Sequence, residues 1–168
     1  SAPMENSLQE KGSVTFTAIG DSVMLGAAPE IQTVLPGGVV DAKEFRQVWD
    51  AMSVIRDLDT KGKLLDTVVI ALGGNGSFSK KTGQELIDTL GTERTIYWLA
   101  PLGQFLTWQE STLAILHELA KENDNLTILN WPETASKHTD WFYDDGMHLN
   151  AEGQTGYAEF MLEQLGVE

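Results

Sequence analysis

Five short apolar segments recur at intervals of about thirty residues, the length of one strand–helix–strand unit. They occupy residues 14–19, 39–42, 67–72, 95–100 and 126–131. The third, Thr67-Val68-Val69-Ile70-Ala71-Leu72, and the fourth, Thr95-Ile96-Tyr97-Trp98-Leu99-Ala100, lack polar alternation. Strands buried on both faces read this way, because neither side meets water. Helical periodicity fills the gaps. Val48, Met52, Ile55 and Leu58 form one stripe; Trp108, Thr112, Leu116, Leu119 and Ala120 form another; Ala158, Met161, Leu162 and Leu165 form the last. Strand and helix thus alternate along the chain, which predicts a parallel sheet covered on both faces: an α/β/α three-layer, flavodoxin-like sandwich with five strands.

Local signals set expected boundaries. Thr82 with Glu85, and Thr107 with Glu110, have capping-box spacing. Gly91 is placed to end the helix that starts near Thr82, and Asn150 to cap the last helix. Residues 1–12 are polar and unpatterned and read as a linker or tail ahead of one domain at 13–168. There is no internal repeat and no apolar run long enough to span a membrane.

The 168 residues carry a formal net charge of −14. Phosphates repel such a chain, so no nucleic-acid partner is expected. With no cysteine, disulfides and thiolate chemistry are excluded. His117 and His138 lie in polar surroundings without ligand-like neighbours, so no metal and no cofactor are expected.

Ligands of a parallel α/β sheet bind beyond the carboxyl ends of its strands. Ser22 follows the first strand, in Gly20-Asp21-Ser22-Val23, and a helix should begin beside it. Its N–H would then point where a developing oxyanion sits. Asn75 follows the third strand, in Gly73-Gly74-Asn75-Gly76, and offers a side-chain amide on the same edge. His148 follows the fifth, with Asp145 three residues before it. That spacing lets a carboxylate fix the tautomer of a histidine base, a role for which Asp144 is the rival. Nucleophile, base, orienting carboxylate and amide donor predict acyl transfer at a serine. The nucleophile elbow of α/β-hydrolases is missing, since Met24 stands where its second glycine would be. Aromatic residues near the same edge, Trp141, Phe142, Tyr143, Phe105 and Trp108, would suit a sugar face or anchor loops.

The blocks Gly20-Asp21-Ser22, Gly73-x-Asn75 and Asp145-x-x-His148 resemble those of the SGNH (GDSL-type) hydrolase superfamily. The resemblance implies that fold, with Ser22 as nucleophile, His148 as general base and Asp145 as its partner. It implies Ser22 N–H and Asn75 as oxyanion donors. The superfamily has a glycine donor after the second strand; Phe45 of Lys43-Glu44-Phe45-Arg46-Gln47 stands there, and its N–H remains available. Gly76 stands where many esterases of the superfamily have aspartate. Arg46, Trp141 and Tyr143 are candidate substrate-binding residues.

In finer detail, Gly20 to Leu25, the Gly-Asn-Gly turn with Ser77-Phe78, and Tyr143 to Leu149 are similar to the extracytoplasmic C-terminal domains of Gram-positive peptidoglycan O-acetyltransferases. That similarity implies acetyl transfer to the C6 hydroxyl of N-acetylmuramic acid through an acetyl-serine. It implies a glycan acceptor, and an acetyl donor supplied by a membrane acyltransferase domain to which this domain is tethered at the cell surface. An esterase with water as acceptor, and a non-catalytic glycan-binding domain, are the alternatives.

Overall fold

A computed structural model describes residues 14–166; the expected linker at 1–12 lies outside them. Five parallel strands form one sheet: β1 (Phe16–Gly20), β2 (Gly38–Ala42), β3 (Thr67–Ala71), β4 (Thr95–Leu99) and β5 (Leu126–Leu129), in the spatial order β2-β1-β3-β4-β5. The helices are α1 (Ser22–Val34), α2 (Ala51–Thr60), α3 (Lys80–Leu90), α4 (Gln109–Glu122), the short α5 (Trp131–Ala135) and α6 (Ala151–Gly166).

Two apolar layers sandwich the sheet. Ile19, Val68, Ile70, Ile96 and Trp98 pack against Ile55 and Leu58 of α2, Leu86 and Leu90 of α3, and Leu116 and Leu119 of α4. Alternate residues of the same strands, Phe16, Ala18, Val69 and Ala71, meet Met24 and Ile31 of α1 and Tyr157, Phe160 and Met161 of α6. Burial on both faces explains why β1 is fully buried along its length and why the alternation expected of a half-exposed strand is absent. Each large aliphatic side chain so enclosed contributes about 1.5–3 kcal/mol relative to exposure. The expected three-layer architecture is thus the one observed.

The boundaries shift locally. β1 begins at Phe16, not at residue 14, and runs on to Gly20. The fifth segment stops at Leu129, because Asn130 accepts a hydrogen bond from Glu133 N–H and starts α5, with Pro132 in its first turn. Trp131 is therefore helical. Neither expected capping box forms. The Ser79 hydroxyl caps α3 by accepting from Thr82 N–H, and α4 starts after Trp108 without a side-chain cap. Val48 belongs to a 3-10 turn (Val48–Asp50) ahead of α2. Gly91 does end α3, with φ 84°, and Asn150 does cap α6, accepting from Gly153 N–H at 3.0 Å.

Strand order reverses between β1 and β3, so the loops leaving these two central strands part and leave a crevice between them. Ser22 leaves β1 and Asn75 leaves β3 on either side of it.

Candidate active site

Gly20 ends β1 where α1 comes too close for a side chain: a Cβ there would lie 2.6 Å from Met24 Cβ. Asp21 then caps α1, its Oδ1 accepting from Val23 N–H at 3.0 Å. Ser22 is consequently the first helical residue, and its N–H has no intrahelical partner. The helix end places that N–H and the hydroxyl together at the crevice.

His148 arrives from the loop before α6. That loop is tied down by the Phe142–Leu149 bridge, by Tyr143 N–H donating to His148 C=O at 3.0 Å, and by Asn150 Nδ2 donating to Asp140 C=O at 2.6 Å. Gly146 turns it with φ 65°, and a Cβ at this position would come 2.3 Å from Gln104 Cβ. The turn swings Asp145 back onto its own loop. Asp145 Oδ1 accepts from the N–H of both Met147 and His148 at 2.9 Å, and Oδ2 lies 2.6 Å from His148 Nδ1. His148 Nε2 lies 2.9 Å from Ser22 Oγ. Asp144, the sequence rival, points into a neighbouring groove instead.

With a proton on Nδ1 facing the carboxylate, Nε2 is left to accept from the serine hydroxyl. Burial pushes the Asp145 carboxyl up, but the Met147 N–H, the imidazole and the His148 N–H together outweigh it and hold it below the usual carboxylate value. Asp145 therefore stays ionised as the imidazole gains a proton.

Asp21 behaves in the opposite way. Burial raises it above the usual carboxylate value, only partly countered by the Val23 N–H and by His148. The unfolded chain then ionises first as pH rises. Stability falls between that point and the folded value, and stays lower above it. Asp21→Asn retains a good cap and lacks this charge. Its melting temperature is expected to exceed that of the wild type at neutral pH, and the difference should vanish in acid. A constant difference across pH would contradict this.

Phe45 occupies the left-handed region at φ 64°, alone among described non-glycine residues. Such a conformation costs about 1–3 kcal/mol, and glycine would adopt it without strain. The Phe45 N–H meets no protein acceptor among the described residues. Ser22, Leu25, Gly26, Glu44, Phe45, Asn75 and His148 line one open cleft of about 400 Å³.

The loops after β2 and β3 are bonded to each other. Asn75 Nδ2 donates to Arg46 C=O at 3.1 Å, which uses one amide hydrogen and leaves the second for the cleft. Gln47 Nε2 donates to Asn75 C=O at 2.7 Å. The Trp108 indole N–H holds Gly73 C=O at 2.9 Å, so this aromatic anchors the turn rather than lining a rim. Gly76 accommodates Gln47, whose Oε1 would lie 2.7 Å from an added Cβ. Gln47 and Trp108 carry no sequence signal for these roles, since both bond to backbone carbonyls that any residue supplies.

Two candidate substrate-binding residues are corrected. Arg46 is buried: its guanidinium meets Asp41 Oδ1 at 2.9 Å and donates to Asp41 C=O at 2.8 Å and Gly20 C=O at 3.4 Å. It pins the ends of β1 and β2 rather than presenting a free guanidinium. Arg46→Met is expected to cost about 2 kcal/mol, as charge-assisted bonds to two carbonyls are lost, which a denaturant melt would measure. Trp141 is also a packing residue. Its ring stacks on Trp131 (6.0 Å) and His138 (3.8 Å) and sits 2.5 Å from a Cβ placed on Gly156. Tyr143 is exposed but lines a separate groove of about 460 Å³ with Gln104, Phe142, Asp144 and Gly146.

No protein-family model matches the chain. It is similar to the O-acetyltransferase OatA of Staphylococcus aureus, with 26% identity over 151 residues, covering 88% of this chain and 24% of that protein's length. It thus spans about a quarter of that relative. Its fold is similar to the C-terminal catalytic domain of Streptococcus pneumoniae peptidoglycan O-acetyltransferase A (TM-score 0.78, 24% identity, 90% and 92% of the two chains). A lipolytic G-D-S-L family protein of Veillonella parvula (TM-score 0.67, 15% identity, 89% and 96%) and a family 3 carbohydrate esterase of Clostridium thermocellum (TM-score 0.66, 16% identity, 92% and 99%) share it.

Proposed function

We propose that this chain, which has the fold of the SGNH (GDSL-type) hydrolases, is a serine acetyltransferase domain acting on peptidoglycan. The supporting observation is the unbroken run of short contacts from Ser22 Oγ through His148 to Asp145. Ser22 Oγ attacks the acetyl carbonyl as its proton passes to His148 Nε2. The Ser22 N–H, the second Asn75 amide hydrogen and the Phe45 N–H take the oxyanion. The donor's leaving oxygen or sulfur departs with the proton from His148, leaving acetyl-Ser22. A glycan hydroxyl, on our reading the C6 hydroxyl of N-acetylmuramic acid, then loses its proton to His148 and attacks the acetyl carbon. Ser22 leaves with that proton, and the enzyme is restored.

The similarity to O-acetyltransferases four times as long supports an acetyl donor delivered by a membrane domain and a site at the extracytoplasmic surface. Among the described residues no helix is long and apolar enough to cross a membrane.

Incubation with p-nitrophenyl acetate followed by mass mapping should find acetyl on Ser22, and added glycan oligomers should divert it from water. If oligomers never receive acetyl, the esterase reading takes over. One observation favours that second reading: the His148 and Asp145 side chains are 43% and 49% exposed, which leaves the site open to water.

Asn75→Ala is expected to lower kcat about a hundredfold with little change in KM, as loss of one oxyanion donor does. Asn75→Asp, which keeps the shape without the donor, should match it; near-normal turnover of the aspartate variant would remove Asn75 from the role.

A further inference from the structure

The exposed large apolar side chains among the described residues are Leu25, Phe45, Trp49, Phe105 and Tyr143. All five lie in the connections between the carboxyl end of a strand and the main helix that follows it, or in that helix's first turn: Leu25 in the first turn of α1, Phe45 and Trp49 between β2 and α2, Phe105 between β4 and α4, and Tyr143 between β5 and α6. A random scatter of surface apolar groups needs no explanation, but confinement to one edge marks a binding face. Phe45 is the extreme case, 81% exposed on a strained backbone.

Phe45 also stands on a boundary. On one side is the cleft with Ser22, Asn75 and His148. On the other is a second cleft of about 480 Å³, lined by Lys43, Glu44, Arg46, Asp50, Ser53 and Val54. The two share Glu44 and Phe45. The second lining mixes hydroxyl, carboxylate and ammonium groups, with acids outnumbering the one unburied cation. It suits an uncharged, hydroxyl-rich ligand rather than an anion. A flat apolar ring beside such polar groups matches a pyranose, which has an apolar face and a hydroxyl edge.

We propose that this second cleft is a subsite for the sugar next to the reacting one, with the Phe45 ring stacked on an N-acetylated pyranose and dividing the two positions. The site therefore takes an oligosaccharide rather than a monosaccharide. The inference rests on the glycan-acceptor reading above and adds which residues select for chain length.

Titrating the wild-type protein with chitotetraose and with N-acetylglucosamine by calorimetry, in the absence of any acetyl donor, tests it. The tetramer should bind more tightly than the monomer. Phe45→Gly removes the ring while keeping a backbone suited to positive φ, and should weaken the tetramer about tenfold, as loss of an aromatic stacking partner does. Ser53→Trp fills the second cleft from an exposed position on α2, and should bring tetramer affinity down towards that of the monomer. Equal affinity for the two sugars, or tetramer binding untouched by both variants, would overturn the subsite. Length-dependent binding without any acetyl diverted from Ser22 would instead leave the subsite standing and defeat the transferase reading.

Discussion

Ser22→Ala is expected to abolish acetyl transfer, with a loss of about 10⁴-fold or more in kcat. Among the described residues no other hydroxyl is hydrogen-bonded to His148 Nε2, so none substitutes for it. His148→Ala should cost about as much, and the double variant no more than either single one, because the two act as a unit. Ser22 is a half-buried helix-start residue whose hydroxyl serves no cap, so the melting temperature should hardly move. A steady-state rate with an activated acetyl ester, beside a thermal melt, separates lost chemistry from lost folding. Retention of more than about a tenth of wild-type turnover by Ser22→Ala would be incompatible with a nucleophile that forms a covalent intermediate.

Asp145→Asn carries the second large expected effect, about 10³–10⁴-fold in kcat. Asn retains an oxygen for the Met147 and His148 N–H groups, so the turn should persist. Its amide then faces His148 Nδ1 and donates to it, which leaves the ring proton on Nε2, pointing at Ser22. That tautomer donates to the nucleophile where catalysis needs an acceptor. The substitution has a pH signature as well. Because the folded Asp145 carboxyl lies below its ordinary value, it contributes stability present above that ordinary value and lost as pH falls through the folded one. The melting-temperature gap between wild type and Asp145→Asn should therefore close in acid. Near-normal turnover of Asp145→Asn would hand the orienting role elsewhere or dispense with it.

The sheet was legible because burial on both faces leaves short, β-branched apolar runs at regular spacing: Val68-Val69-Ile70-Ala71 has nowhere to put a polar residue. The site's geometry was legible because strand order sends Ser22, Asn75 and His148 to one edge whatever their separation along the chain. Helix starts were less so. Thr82 and Thr107 have the right spacing, but Ser79, three residues ahead of Thr82, supplies the cap with its own hydroxyl, and the Trp108 indole bonds to Gly73 instead. Arg46 was ambiguous for a different reason. A guanidinium next to an expected oxyanion loop reads equally as a substrate clamp or a brace, and only its distance to Asp41 decides. Trp141 likewise shows a large ring in the sequence, while the two glycines of α6 that receive it lie twelve and fifteen positions away.

The reciprocal bonds between Asn75 and the Arg46–Gln47 backbone and side chain make residues 43–47 and 73–76 one mechanical unit. A chimera that imports either stretch alone from a distant cousin would leave the other half misaimed, so donors from both must be transplanted together.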